Sequence, residues 1–489
     1  MNFAARLAGG QPGAAALETL QGTTSYAELL AGAARVRGFL ASSGAGRGNR
    51  VAILAGNGPF WVAAYLGAIG GGCTAVPLSS SLSQEQVAEI LASGKTRFAF
   101  CDAKAARDHR AALQGMTVVL ETQPPTGGEA PIVEVDEASD VAVLLFTSGS
   151  TSRPRGVRLS HRNLNANTAS ILAAVGIRAD DRAMVVLPFY YTFGASVLHT
   201  HLAAGAALVL DKRFMFPDKV VERMREARCT GFAGVPSHFQ ILLRKSRLKQ
   251  TALPDLRWVQ QAGGKLSAAF VEELQQALPQ ARIFIMYGAT EATARIAVLP
   301  PERLEEKRGS AGRAIPGVTL RIVGADGSEL PAGAVGEVEV EGDNVALGYL
   351  DAPAENAERF RGGRLRTGDL GFLDAEGFLT IVDRAGDFLK CGGTRTSCKE
   401  VEEALLRFPD IVEVAVLPIP DELLGEAVAA FVVPRLAGDA DLGERLRAFS
   451  ETALPATLQP KRVAVLTALP KSEAGKVQRA ALRKLLDGS

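Results

Sequence analysis

The chain has 489 residues, with 54 lysines and arginines against 53 aspartates and glutamates, and therefore a formal net charge of +1. A chain of this length is too long for one hydrophobic core and is expected to divide into two or more domains. The charge is balanced and the sequence contains no basic stripe, so we do not expect nucleic acid as a partner. A hydrophobic content of 47% with only 6% aromatic residues is typical of a large α/β protein.

The first residues lack the apolar segment of a signal peptide, so we expect a cytoplasmic protein. Residues 59–78 are apolar enough to suggest a membrane span, but Gly70, Gly71, Gly72 and Pro77 interrupt them. We predict a helix of about 12 residues followed by a short strand, and no membrane span.

From the start to about residue 380, apolar strand patterns alternate with amphipathic helix patterns, including helices at 26–42 and 217–227. We predict strands at residues 50–54, 73–78, 97–101, 117–120, 141–146, 183–187, 207–210, 231–235 and 283–286. Such alternation indicates parallel sheets covered by helices, the α/β class.

From Ser310 the pattern changes to short strands and tight turns, which predicts a small barrel-like subdomain over about residues 310–380. The last segment has its own strand patterns at 412–417 and 427–433 and predicts a small α+β domain. We therefore place an N-terminal domain at residues 1–383 and a separate C-terminal lid domain at residues 384–489.

The sequence contains one H-x-H pair and five scattered cysteines, residue types that can bind metals. His199 and His201 have no third ligand nearby in the sequence, so we expect them to pack or form hydrogen bonds. The cysteines lack metal spacing and are expected to be inert thiols.

The most informative segment is the loop within residues 144–157, LLFTSGSTSRPRGV. It follows a predicted buried strand and precedes a helix that Ser160 can cap. Backbone N–H groups and hydroxyls there can wrap phosphate oxygens while Arg153 and Arg155 offset their charge, so the loop predicts a polyphosphate site. A flexible linker would share this composition but is not expected between a strand and a helix. The segment is not a Walker A motif.

Four further glycine-punctuated stretches carry polar residues: YGATE at 287–291, RTGD at 366–369, DRAGDFLKCGGTR at 383–395 and PKSEAGK at 470–476. With the phosphate loop, in this order, they resemble the signature of the adenylate-forming (AMP-binding) superfamily. Its members are acyl- and aryl-CoA synthetases, stand-alone adenylation enzymes and luciferases. The resemblance extends over nearly the whole chain.

The resemblance implies that ATP and a carboxylic acid form an acyl-AMP and pyrophosphate, with Mg²⁺, before a thiol displaces AMP. It implies β- and γ-phosphate binding by Thr147, Ser148, Gly149, Ser150, Thr151 and Arg155. It implies that Thr290 contacts the α-phosphate, Glu291 holds Mg²⁺, Tyr287 and Gly288 lie at the adenine, Asp369 and Arg384 bind the ribose, and Lys476 stabilises charge in the transition state. It also implies a substrate pocket of Tyr191, Gly194, Val235, Pro236, Gly263, Gly264 and Ala289, a pantetheine tunnel at Gly392 and Gly393, and a mobile lid with a hinge at Gly386.

The chain departs from the family pattern at several positions. Arg155 stands where the family usually has lysine, Gly386 falls in an altered hinge sequence, and Tyr191 stands where many acyl-CoA synthetases have histidine. Gly194 stands where amino-acid-activating relatives have an aspartate for the substrate ammonium, which favours an acid without an α-amino group. Lys265 is either a polar handle for the substrate or, as we favour, an exposed side chain.

We therefore predict an AMP-forming ligase that activates a fatty or aryl acid and transfers it to a phosphopantetheine thiol, with CoA the favoured acceptor. A stand-alone ligase that loads a carrier protein is the alternative. A nucleotide-binding protein that has lost catalysis is an alternative of another class, given Arg155 and Gly386. A serine hydrolase is excluded because no G-x-S-x-G motif is present.

Overall fold

The computed structural model describes residues 1–79, 81–147, 154–384, 388–391, 394–421, 424–439, 441–472, 475 and 477–487. The helices are, in chain order, α1 (Phe3–Arg6), α2 (Tyr26–Ser42), α3 (Pro59–Gly70), α4 (Gln84–Ser93), α5 (Ala103–Asp108), α6 (His161–Val175), α7 (Thr192–Ala204), α8 (Pro217–Glu226), α9 (Pro236–Lys245), α10 (Ala268–Ala277), α11 (Pro353–Arg359), α12 (Cys398–Leu405), α13 (Leu442–Ala453) and α14 (Arg479–Asp487). Short 3-10 turns lie at Leu248–Gln250, Thr290–Ala292, Pro301–Arg303 and Ala456–Leu458.

The strands of the N-terminal part, through its two large sheets, are β1 (Ala15–Glu18), β2 (Thr23–Ser25), β3 (Arg50–Leu54), β4 (Thr74–Pro77), β5 (Phe98–Cys101), β6 (Thr117–Leu120), β7 (Val141–Thr147), β8 (Arg155–Ser160), β9 (Arg182–Val185), β10 (Ala207–Leu210), β11 (Gly231–Gly234), β12 (Trp258–Gln261), β13 (Arg282–Tyr287), β14 (Ala297–Leu299) and β15 (Arg313–Ala314). The remaining strands are β16 (Val318–Val323), β17 (Gly336–Gly342), β18 (Phe360–Arg361), β19 (Arg364–Leu373), β20 (Leu379–Arg384), β21 (Phe388–Cys391), β22 (Thr394–Ser397), β23 (Ile411–Asp421), β24 (Gly425–Pro434) and β25 (Pro460–Val465).

Two large sheets form the N-terminal part. One has the order β15-β14-β13-β12-β11-β9-β10-β1-β2 and the other the order β6-β5-β3-β4-β7-β8. The inner strands of both run parallel, and antiparallel strands lie at their edges. Parallel strands buried on both faces require continuous apolar runs, as β4 and β5 have. The predicted α/β class is confirmed.

Most predicted elements lie within one or two residues of their observed ends. The apolar segment that resembled a membrane span is the 12-residue helix α3 followed by β4, because glycines end the helix. Among the described ranges, no helix combines the length and the apolar character needed to cross a bilayer.

One prediction about the phosphate loop is wrong: the loop does not connect a strand directly to a helix. Residues 155–160 form β8, which pairs antiparallel with β7 and brings Thr147 opposite Arg155. Gly156, Val157, Leu159 and Ser160 are buried along β8 while Arg155 and Arg158 are half-buried, so the pairing with β7 defines this strand and not an alternation of burial. The predicted phosphate loop therefore joins two antiparallel strands, β7 and β8, and Ser160 caps α6 after β8.

Two smaller sheets follow. Strands β16 to β20 form one sheet by antiparallel pairing, and β21 to β25 form another within the lid. Sheet membership changes between β20 and β21, on either side of residues 385–387, which lie outside the described residues together with the predicted hinge Gly386. The domain boundary at 383/384 stays a prediction.

The core between the two large sheets accommodates the histidine pair. His199 Nε2 lies 2.8 Å from the Tyr65 hydroxyl, and its ring stacks on that of Tyr65. His201 Nδ1 lies 2.8 Å from the Val197 carbonyl oxygen. Burial lowers the pKa of His199 to about 3 and that of His201 to about 4, so both rings are neutral at pH 7. Both histidines thus pack and form hydrogen bonds, as the sequence predicts.

Candidate active site

The candidate site begins where β13 ends. Tyr287 is the last residue of β13, and its carbonyl oxygen accepts a hydrogen bond of 2.9 Å from the Ile296 N–H. The chain between them turns so tightly that a Cβ on Gly288 would lie 1.5 Å from the Ala294 oxygen. Thr293 and Ala294 have φ values of 58° and 102°, a left-handed conformation that is unfavourable for residues with side chains. Local strain of this kind is typical of functional sites.

The predicted adenine and ribose residues come together although they belong to different sheets. The Tyr287 hydroxyl donates a hydrogen bond of 2.6 Å to Asp369 Oδ2. Asp369 lies on β19 directly opposite Arg384 of β20. The side chain of Arg384 lies outside the described residues. The backbone thus places Tyr287, Asp369 and Arg384 at one location.

The two residues predicted to act at the phosphates each have a side-chain partner. The Thr290 hydroxyl lies 2.8 Å from the hydroxyl of Thr192, the first residue of α7. Glu291 Oε1 accepts a hydrogen bond of 2.7 Å from the Tyr349 hydroxyl. Burial, then Glu291, raises the pKa of Tyr349, so the phenol remains a donor. Sequence analysis did not identify Tyr349 or Thr192.

The environment of Glu291 fits a magnesium ion. Within the described ranges no lysine, arginine or histidine forms an ion pair with it, and the carboxylate oxygen that does not bind Tyr349 can still accept. Mg²⁺ is commonly held by one or two carboxylates together with substrate phosphates. That mode needs no cluster of protein ligands, and the described part of the chain contains no group of three or more that could hold a metal.

Tyr349 connects β8 to Glu291. The Arg155 guanidinium lies 5.7 Å from the centre of the Tyr349 ring, and its Nε lies 3.0 Å from Glu355 Oε2. The Asn356 side chain fixes Tyr349 by bonding both its backbone N–H and its carbonyl, at 2.7 and 2.9 Å. The hydroxyl of Tyr349 and the carboxylate of Glu291 are 58 positions apart in sequence, so no local motif could reveal the contact.

Two residues of the predicted phosphate loop, Thr147 and Arg155, lie within the described strands β7 and β8. They are opposed where β7 ends and β8 begins. Ser148, Gly149, Ser150, Thr151 and Arg153 lie outside the described residues. Their predicted contacts with the phosphates stay predictions.

Five of the predicted pocket residues lie together. A Cβ on Gly263 would be 2.9 Å from Val235 Cγ1 and 3.1 Å from the Tyr191 hydroxyl, and Gly263 has a φ of 84°. Glycine is therefore required at this position by conformation and by space. A Cβ on Gly264 would lie 3.2 Å from the Pro236 ring.

The other two predicted pocket residues pack differently. A Cβ on Gly194 would lie 2.1 Å from the Pro188 carbonyl oxygen, so the space for a side chain is filled by backbone. Ala289 is half-buried and packs on the apolar cluster of the sheet formed by β16 to β20. At Gly194, close helix–loop packing explains the glycine without reference to a ligand.

A buried arginine that sequence analysis missed lies beside these residues. Arg295 is 2% exposed, and its guanidinium lies 4.1 Å from the centre of the Phe193 ring. Its Nε donates to the Met286 sulfur at 2.9 Å, while its Nη2 is buried and has no hydrogen-bond partner. Burial lowers the pKa of Arg295 to about 9, so the group remains cationic at pH 7.

The lid docks on α9 and on the Gly263 loop. Ser237 Oγ donates a hydrogen bond of 3.2 Å to the Gly475 carbonyl oxygen, and a Cβ on Gly475 would lie 2.7 Å from Val235 Cγ2. Lys265 forms an ion pair of 2.7 Å with Glu403 of the lid and is 35% exposed. Gly475 is next to Lys476, which lies outside the described residues, as do Gly392 and Gly393. Gly475 thus lies beside the predicted pocket.

A second contact of the lid uses main-chain atoms. The Arg244 guanidinium donates to the carbonyl oxygens of Ile411 and, at 3.4 Å, Leu406. Arg244 also packs over the Phe270 ring at 4.2 Å and lies 3.6 Å from Glu273. Burial lowers the pKa of Arg244. The lid therefore rests on a cation that the N-terminal part holds in place.

The sequence matches two known protein families, one over the N-terminal part and one over the C-terminal part. The AMP-binding enzyme family matches residues 4–350, and the AMP-binding enzyme C-terminal domain matches residues 400–476. The chain is an AMP-binding enzyme.

Relatives of this AMP-binding enzyme include the indoleacetate–CoA ligase of Aromatoleum aromaticum, 30% identical over 98% of this chain and 97% of the relative. The sulfoacetate–CoA ligase of Cupriavidus necator is 32% identical over 90% of this chain and 88% of the relative. The structure of o-succinylbenzoate CoA synthetase from Bacillus subtilis, in complex with ATP and magnesium ion, is similar with a TM-score of 0.84 and 28% identity over 99% of both chains. The AMP-binding enzyme thus belongs with the adenylate-forming acyl- and aryl-CoA ligases, as the sequence motifs predicted.

The Lys265–Glu403 ion pair gives a first testable prediction. Exposed and half-exposed pairs contribute up to about 1 kcal/mol, so Lys265→Glu should weaken lid docking and slow acyl-AMP formation about fivefold, measured by pyrophosphate exchange. Adding Glu403→Lys should restore the rate. Lys104→Glu is the matched control, because Lys104 pairs with Asp108 at 2.9 Å within α5 and makes no contact with the described residues of the lid. A double variant that is slower than Lys265→Glu would contradict the role of this pair.

Proposed function

We propose that this AMP-binding enzyme converts a carboxylic acid that lacks an α-amino group into an acyl-AMP and then into a CoA thioester. In the first step a carboxylate oxygen bonds to the α-phosphorus of ATP, and the bond from that phosphorus to the bridging oxygen breaks to release pyrophosphate. In the second step the thiol sulfur bonds to the acyl carbon, AMP leaves with the former carboxylate oxygen, and the thiol proton passes to solvent.

The observation that carries the choice of acid is the charge next to the pocket. Gly194 leaves no room for a carboxylate that could pair with an α-ammonium, because the Pro188 oxygen fills that space. Arg295 places an unneutralised cation nearby instead, with Tyr191 contributing to its electrostatic environment. An amino acid would therefore bring a second positive charge toward a buried positive charge, which is strongly unfavourable.

The described residues support roles in alignment more than in proton transfer. The acid is already a carboxylate at pH 7, so catalysis requires orientation and charge stabilisation. One O–H of the Thr192–Thr290 pair donates to the other hydroxyl, and the remaining O–H can donate to an oxygen at the α-phosphorus. Glu291, fixed by Tyr349, would hold Mg²⁺, which when bound neutralises charge on the phosphates.

The nucleotide roles follow the same arrangement. Asp369 is fixed by Tyr287 and can accept hydrogen bonds from ribose hydroxyls, with Arg384 on the neighbouring strand. Thr147 and Arg155 flank the phosphate loop, where the β- and γ-phosphates would bind with Ser148, Gly149, Ser150 and Thr151. Val235 and Gly263 would border the acyl group, with Tyr191 beside them.

The names of the relatives agree with an acid of this kind but differ in its structure. One relative is named for an aryl acid, indoleacetate, and two proteins are named for acids with a second anionic group, sulfoacetate and o-succinylbenzoate. All of these names describe acids without an α-amino group. They support CoA as the thiol, with a carrier protein as the alternative acceptor.

ATP–pyrophosphate exchange with a panel of acids tests the proposal. We expect exchange with fatty, aryl or anionic acids and little with free α-amino acids. Exchange with an amino acid and none with its des-amino analogue would contradict the assignment. Thioester formation is then compared between CoA and a phosphopantetheinylated carrier protein, and a faster reaction with the carrier protein would favour the alternative acceptor.

A further inference from the structure

We propose that Arg295 is a specificity-determining residue that binds a second anionic group, a carboxylate or a sulfonate, on the acid substrate. This inference rests on the proposed function and narrows its substrate class to acids that carry two negative charges. It is independent of which thiol accepts the acyl group.

No described carboxylate neutralises the Arg295 guanidinium. Around the guanidinium are the Phe193 ring, the Met286 sulfur and Tyr191, all without a negative charge, and none of the described aspartates or glutamates pairs with it. The buried Nη2 has no acceptor at all. Burying a charged group without a partner of opposite charge is strongly unfavourable, so natural proteins keep such a group where a ligand completes the pair.

The main chain of Arg295 is held in place before any ligand binds. The Asn167 side chain bonds both the Arg295 N–H and its carbonyl, at 3.2 and 2.8 Å, and Asn344 donates to the same carbonyl at 3.2 Å. Thr293 and Ala294, directly before it, have left-handed backbone conformations. The guanidinium itself is positioned by the Phe193 ring and the Met286 sulfur. A positioned guanidinium loses less conformational entropy on binding, and its planar N–H groups suit a carboxylate or sulfonate.

Arg295 contacts the first turn of α7. Arg295 packs against Phe193 and lies near Tyr191, the two residues on either side of Thr192. Thr192 bonds Thr290, which the family resemblance places at the α-phosphate. An anion at Arg295 would thus be separated from the reacting carboxylate by a short spacer. The same acid could satisfy both sites.

A competing interpretation is that Arg295 binds the reacting carboxylate itself. In that case the arginine would matter equally for every acid. The two interpretations differ in one measurable quantity, the ratio of kcat/KM between an acid with a second anion and the same acid without it.

The test uses the full-length enzyme and pairs of acids that differ by one anionic group: benzoate with isophthalate, butanoate with succinate, and acetate with sulfoacetate. We compare the wild type with Arg295→Met, which has similar length but no charge, and Arg295→Lys, which keeps the charge but loses the planar fork. Arg110→Met is the matched control because Arg110 is exposed. Pyrophosphate exchange gives kcat and KM for each acid.

For at least one pair, the wild type should prefer the acid with the second anion, and Arg295→Met should lower that preference at least about 30-fold through KM. Arg295→Lys should fall between them, and Arg110→Met should equal the wild type. Equal losses for both members of every pair, or a wild type that ignores the second anion, would overturn the inference.

Thermal unfolding gives a readout that does not depend on turnover. Without ligand, Arg295→Met should have a Tm equal to or above that of the wild type, because it removes an unpaired buried charge. The preferred dianionic acid should raise the Tm of the wild type but not that of the variant. A lower Tm for unliganded Arg295→Met would show a structural role and overturn the inference. If no acid supports exchange, the proposed function fails, while the Tm shift still decides whether Arg295 binds the second anion.

Discussion

Replacing Lys476 by alanine is expected to slow acyl-AMP formation at least about 100-fold, the effect of removing one donor that acts in the transition state. Lys476 lies outside the described residues, but its neighbour Gly475 is docked against Val235 and Ser237 beside the predicted pocket. The family resemblance implies that the lysine contacts the carboxylate and the α-phosphate there. Negative charge accumulates on those oxygens while the anhydride forms.

The same variant should convert supplied acyl-AMP and CoA into thioester at a rate close to that of the wild type, because the anhydride is already formed. Gly393→Leu should do the opposite, since the resemblance places Gly393 at the pantetheine tunnel. Pyrophosphate exchange and thioester formation are measured separately, and unfolding temperatures show that both variants are folded. Equal loss of both half-reactions in both variants would contradict a lid that presents different residues in each step.

Glu291→Gln is expected to lower kcat of acyl-AMP formation about 100-fold and to raise the Mg²⁺ concentration that gives half-maximal rate. In the wild type the Tyr349 hydroxyl donates to Glu291 at 2.7 Å, and the amide oxygen of glutamine can still accept this hydrogen bond. The substitution therefore removes the charge of the side chain with little change of its shape. The measurement is a magnesium titration of pyrophosphate exchange at saturating ATP.

Tyr349→Phe is the matched control for Glu291→Gln. It removes the hydrogen bond but keeps both the carboxylate and the ring that lies beside Arg155. We expect a loss below about tenfold and a small change in the magnesium requirement, consistent with one lost hydrogen bond. An unchanged magnesium requirement in Glu291→Gln would contradict the assignment of this carboxylate to the metal.

The sequence was sufficient for the elements whose signals are local. The run of apolar residues in β5, the glycines that end α3 and the Ser160 cap each act within a few positions. The sequence does not predict β8, because Gly156 and the charged Arg155 and Arg158 interrupt its apolar residues. A strand of this kind forms because a partner, β7, is available to pair with it.

In the site, the motifs indicated which residues belong together but not what each contacts. The YGATE and RTGD motifs identify Tyr287 and Asp369 separately. The direct hydrogen bond between the two side chains joins strands of different sheets, which neither motif indicates. Arg295 was overlooked because one arginine after a motif has no local signature, and its significance comes from burial without a partner. Such properties depend on the packing of distant segments, which sequence spacing does not encode.

The Arg244 contact has a consequence for how this enzyme can evolve. Arg244 binds main-chain carbonyl oxygens of the lid at Leu406 and Ile411, and these atoms are present whatever side chains stand there. The contact therefore depends on the path of the lid backbone and is indifferent to its amino-acid identity. Lid residues can diverge, or a lid of the same fold can be exchanged between homologues, without loss of this anchoring point.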